Sequence, residues 1–172
     1  MKTILVAGIG NIFFGDDAFG CEVVRQLASR PQPEGVRVID FGIRSYDLAY
    51  AIMDNYDATI LVDATPQGGL PGTLYLIEPD LKKLDELPNE AVNAHGMNPV
   101  RVLQLVRSLG GNPGWMRVIG CEPAVLESEE GAMGLSEEVQ VAVRPAIEMI
   151  ESLIRNIFDG TENAVATIDS QV

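Results

Sequence analysis

Two adjacent aspartates (Asp16-Asp17), a third at the end of an apolar run (Asp63) and the sole histidine, His95, are the residues of this chain whose types could do chemistry. Two carboxylates and one imidazole make an open first-row metal site, with positions left for water or substrate. That donor set suits a borderline ion such as zinc or nickel rather than a closed thiolate site. Carboxylates brought close together also repel, and a shared proton or a bound cation must relieve them. Plainer readings exist. Asp16 and Asp17 stand just ahead of a helical stretch, where carboxylates cap amino termini. A single histidine is more often a surface or helix-end side chain than a ligand. Asp63 resists such an explanation, because it closes the run Ile60-Leu61-Val62 and so puts a charge at the tip of a central strand. A Ser-His-Asp triad would need the same imidazole, and no serine stands in a nucleophile elbow.

The elements that must position these residues can be read from periodicity. Lys2–Gly8, Gly35–Phe41, Asp57–Ala64, Thr73–Glu78 and Trp115–Cys121 read as strands, the third so apolar that it should be covered on both faces. Asp17–Ser29, Tyr46–Asn55, Asn98–Leu109 and Ser136–Phe158 carry apolar residues at helical spacing. Asn98-Pro99 is a strong helix start, Gly110-Gly111 a stop, and Pro145 a bend in the last helix. Thr65–Gly72 is too short for a crossover helix, so strand four should run antiparallel and lie near an edge. The pattern predicts an α/β fold: a three-layer α/β/α sandwich with a five-stranded, mostly parallel sheet and one antiparallel edge strand. Residues 1–158 form the single domain of this reading and 159–172 a frayed tail. In such sheets ligands bind beyond the carboxyl ends of the strands where strand order reverses. If strands one and three are neighbours, Asp17 and Asp63 converge there. Asp40 to Ser45 reads as a crevice wall or a plain turn, Glu122-Pro123 as a flank of the site, and Cys21 and Cys121 as core.

Composition narrows the function. The 172 residues hold 12 Lys and Arg against 25 Asp and Glu, a formal net charge of −13. Polyanion binding needs clustered cations, so nucleic acid and anionic membranes are disfavoured. No stretch approaches the ~20 apolar residues of a membrane span. The amino terminus is no secretory signal, and two cysteines suit a reduced, cytoplasmic protein. Gly8-Ile9-Gly10 begins like a dinucleotide fingerprint, but Phe13 replaces the third glycine, and Asp16-Asp17 stand where a phosphate needs amides. Nucleotide binding is therefore not the first reading.

Taken together, Gly8-Ile9-Gly10-Asn11, Asp16-Asp17-Ala18-Phe19-Gly20, Leu61-Val62-Asp63-Ala64 and His95-Gly96-Met97 resemble the hydrogenase maturation endopeptidases, from Lys2 to about Phe158. The resemblance implies a protease that trims the carboxy-terminal extension from the large-subunit precursor of a nickel–iron hydrogenase. It places the family's three metal-contacting positions on Asp17, Asp63 and His95, as metal and catalytic residues. Asp17 stands where the family often has Glu, Ala18 where many members have Gly, and Asp40-Phe41-Gly42 where many show Asp-Gly-Gly. The nickel would arrive with the precursor and serve as a checkpoint before cutting. The resemblance implies a monomer acting on that precursor in the cytoplasm, by aspartate-assisted or metal-assisted hydrolysis. A self-sufficient metal-dependent peptidase or amidohydrolase, a nucleotide-binding module and a non-catalytic scaffold are the rival readings.

Overall fold

The computed structural model of the chain describes residues 1–86, 98–124 and 133–162. Five strands, β1 (Ile4–Ile9), β2 (Val36–Gly42), β3 (Ala58–Ala64), β4 (Leu74–Ile77) and β5 (Met116–Cys121), form one sheet in the order β2-β1-β3-β5-β4. All neighbours are parallel except β4, which pairs antiparallel with β5 at the edge, as its short connection requires. Strands β1 and β3 are adjacent, with Ile4 opposite Ala58 and Gly8 opposite Val62. The chain leaves β1 for β2 on one side and reaches β3 on the other, so the order reverses between β1 and β3.

Side-chain alternation splits the core in two. Ile4, Val6, Ile60 and Val62 face α1 (Phe19–Ala28) and α4 (Glu137–Asp159), meeting Val23, Leu27, Val143, Ile147 and Ile150. Leu5, Ala7 and Leu61 face α2 (Ser45–Met53) and α3 (Pro99–Ser108), meeting Leu48, Ile52, Val102 and Val106. Every residue of β1 and β3 is buried, as expected of strands covered on both faces. Each fully buried Leu or Ile contributes about 1.5–3 kcal/mol relative to exposure.

The helix ends follow the sequence closely. Asn98 Oδ1 accepts from Arg101 N at 2.9 Å with Pro99 at the first helical position. Helix α4 runs as one element through Pro145 and ends at Gly160, whose φ of 72° permits the left-handed cap. Helix α1 departs from expectation. It begins at Phe19, and Gly15–Ala18 instead form a 3₁₀ turn ahead of it.

Candidate active site at the strand ends

The site is built on the loop that follows β1. At Gly10 (φ 150°) a β-carbon would collide with the Asp17 carbonyl, so only glycine lets the loop fold back on itself. Four hydrogen bonds then fix it. Asn11 N donates to Asp17 Oδ2 at 2.8 Å and Phe13 N to Asn11 Oδ1 at 2.9 Å. Phe14 N donates to Asn11 O and Asp17 N to Phe14 O, each at 3.1 Å. A β-carbon at Gly20 would strike the carbonyl oxygens of Ile9 and Val62, so the start of α1 lies directly on the tips of β1 and β3. No side chain caps α1, which disposes of the capping role expected for Asp16 and Asp17. Their carboxylates are used elsewhere.

Asp17 and Asp63 are brought together. Asp63 is 3% exposed, and its carboxyl is held well above the usual range by burial first and by the charge of Asp17 second, the Ala64 amide opposing both. Burial also raises Asp17, against the Asn11 N–H that stabilises its charged form. The Cys21 thiol is pushed up by burial, then by its hydrogen bond to Asp40 and that residue's charge, then by Asp17 and Asp63. The three carboxylates therefore share one neighbourhood. Asp63 Oδ1 is buried with no hydrogen-bond partner among the described residues. A buried, unpartnered carboxylate oxygen beside a second carboxylate is what a cation would satisfy. Among the described residues no three His, Cys, Asp or Glu side chains cluster closely enough to hold a metal by themselves. His95, the expected third donor, lies outside the described residues.

Asp16 has a role that the sequence did not announce. It is fully buried, and its carboxylate accepts from Ala124 N (2.8 Å, Oδ2), Ser136 N (2.7 Å, Oδ1) and Ser136 Oγ (2.9 Å, Oδ2). One side chain thus pins the exit of β5 and the N-cap of α4 to the 3₁₀ turn that carries Asp17. Partners 108 and 120 residues away leave no local signature, and the one available signal was the doubling of aspartates. Glu122 is a clamp on the β3–β4 connection, accepting from Gln67 N (2.8 Å), Gly68 N (3.1 Å) and Tyr75 OH (2.8 Å). Asp40 closes a turn by accepting from Gly42 N at 2.9 Å, and Gly42 O accepts from Gly10 N at 3.0 Å, tying the turn to the site loop. Cys21 and Cys121 are buried, as expected.

Comparison with known proteins gives one consistent result. The family model for HycI-type hydrogenase maturation proteases matches residues 21–153. A Methanocaldococcus jannaschii protein assigned to the hydrogenase maturation proteases is 37% identical over 150 residues, spanning 87% of this chain and 94% of that one. Among solved structures, the hydrogenase maturating endopeptidase HybD from Escherichia coli superimposes with a TM-score of 0.71 at 28% identity, covering 91% of this chain and 93% of that one. The NiFe hydrogenase maturation protease HycI from Thermococcus kodakarensis KOD1 does so with a TM-score of 0.65 at 26% identity, covering 90% and 94%.

Proposed function

The chain belongs to the hydrogenase maturation protease family, and on that premise we propose that it removes the carboxy-terminal extension from the nickel-loaded large-subunit precursor of a NiFe hydrogenase. It does so as a monomer in the cytoplasm. The observation that carries this reading is the pairing of Asp17 with buried Asp63, whose Oδ1 has no hydrogen-bond partner among the described residues, where strand order reverses. Among the described residues no helix is long and apolar enough to cross a membrane.

In this reading the nickel is part of the substrate, held by precursor thiolates, and Asp17, Asp63 and His95 complete its coordination. Coordinated there, the ion would supply Lewis acidity toward the scissile carbonyl. The chain itself supplies orientation and proton handling. Asp17 is fixed through one oxygen by Asn11 N–H, leaving the other for the partner. An aspartate of the pair takes the proton of the attacking water. The coordination part of the binding energy then exists only for a loaded precursor, which is how the metal acts as a checkpoint.

The test is mass spectrometry of a nickel-loaded precursor incubated with the protein. A shortened carboxy terminus is expected with the wild-type chain and an intact one with His95→Ala or with nickel-free precursor. Cleavage of nickel-free precursor by a zinc-loaded free protein, with His95→Ala still active, would replace this reading by a self-sufficient metallopeptidase.

A further inference from the structure

The loop that carries Asp17 also displays something the chemistry above does not use. Ile12, Phe13 and Phe14 are three consecutive apolar residues that are 49%, 59% and 36% exposed. A run of this kind on a surface loop calls for an explanation, since loop tips are normally polar. The exposure does not come from slack, because the same four hydrogen bonds that fix Asp17 hold this knuckle rigid, with Asp17 Oδ2 itself bonded at its base. Ile12 also forms one wall of an open groove of about 290 Å³, whose other apolar walls are Ala18, Met133 and Leu135. Carboxylates of Glu22 and Asp40 line the same groove, and the cation beside them, Arg25, is already paired with Glu22 at 2.6 Å.

We propose that the Ile12-Phe13 knuckle and the groove behind it are the docking surface for the precursor, taking an apolar segment of it that is flanked by neutral or cationic side chains. The proposal rests on the function inferred above and names how the substrate is held apart from its metal. Three features identify this occupant. Phe13 lies four residues from Asp17 on the same hydrogen-bonded loop, and Cys21 and Asp40, which line the groove, neighbour the Asp17–Asp63 pair, so this surface is continuous with the proposed site. A preorganised aromatic loses little entropy on binding and can bury about 150–250 Å². The acidic groove, in a chain with a net charge of −13, repels an acidic segment and favours a cationic flank.

The experiment compares the wild-type chain with the double variant Ile12→Ser/Phe13→Ser on nickel-loaded precursor. Leu109→Ser serves as the control, at the exposed C-terminal end of α3, which leads into the start of β5 and so lies away from the strand tips. The double variant should keep its circular dichroism and melting temperature, and its kcat/KM should fall about tenfold or more through KM. That loss should persist at high salt, where steering by charge is screened, and the control should match the wild type. Equal kcat/KM for wild type and folded double variant overturns the docking proposal alone. So does a wild-type dimer that the double variant breaks, since the knuckle then meets a second copy. Absence of cleavage by the wild-type chain is failure of the function itself and takes the docking proposal with it.

Discussion

Asp16→Asn and Asp63→Asn remove one charge each from residues at the same end of the sheet, yet they should move stability in opposite directions. Asp16 uses both carboxylate oxygens to accept from Ser136 N, Ala124 N and Ser136 Oγ, at 2.7, 2.8 and 2.9 Å. Asparagine offers one oxygen and turns an NH₂ toward a backbone N–H, so at least one buried donor is stranded. The stranded donor costs about 1–3 kcal/mol, and weakening the remaining bonds from charged to neutral brings the total to about 2–4 kcal/mol. For a chain of this length that lowers the melting temperature by on the order of 10 °C. At Asp63 the carboxyl is buried beside Asp17, and its Oδ1 has no partner among the described residues. Losing its charge should stabilise the metal-free protein at neutral pH, by on the order of 1 kcal/mol. The pH dependence separates the two causes. Below the ordinary value of 3.8 both folded and unfolded chains hold the Asp63 proton, so the group's relative stability is fully present. As pH rises through the raised folded value the unfolded chain has already released its proton, and that stability is lost. The gain from Asp63→Asn should therefore shrink toward zero as pH falls to about 4. Urea unfolding followed by circular dichroism, with chelator present, at pH 8 and at pH 4 reads all of this. Shifts of the same sign for both variants at pH 8 would refute the assignment of Asp16 as anchor and Asp63 as strained charge.

Asp17→Asn, Asp63→Asn and His95→Ala should each abolish precursor processing, as seen by mass spectrometry, while far-ultraviolet circular dichroism stays native. Chelator should leave the circular dichroism and melting curve of the free protein unchanged, because the two-layered core does not depend on a metal staple. Ending the chain after Glu162 should leave precursor cleavage at the wild-type rate. The cut falls there because Thr161 N donates to Asn156 O at 2.8 Å and so belongs to the α4 cap.

Some features were legible in sequence for definite physical reasons. The run Ala58 to Val62 can only be a doubly covered strand, and Asp63 at its end is too costly to bury without a purpose. The eight residues Thr65–Gly72 are too few for a crossover, and β4 accordingly pairs antiparallel with β5. Asn98-Pro99 marks the start of α3 through chemistry local to two residues. What escaped was non-local. Nothing near Asp16 indicates Ala124 or Ser136, and nothing near Glu122 indicates that its carboxylate will hold Gln67 and Gly68. Periodicity starts α1 at Asp17, two residues ahead of Phe19, because an aspartate pair looks the same whether it caps a helix or occupies the turn before one.

The Asp16 anchor also has a consequence in time. A chain emerging from the ribosome presents residue 16 long before residue 136, and domains complete as their last segments arrive. Until Ser136 has been made, the carboxylate next to Asp17 lacks Ser136 N and Ser136 Oγ, two of the donors that hold it in the finished fold. An unfinished or prematurely ended chain therefore lacks part of the anchor that ties the turn carrying Asp17 to the start of α4 until its own synthesis is nearly done.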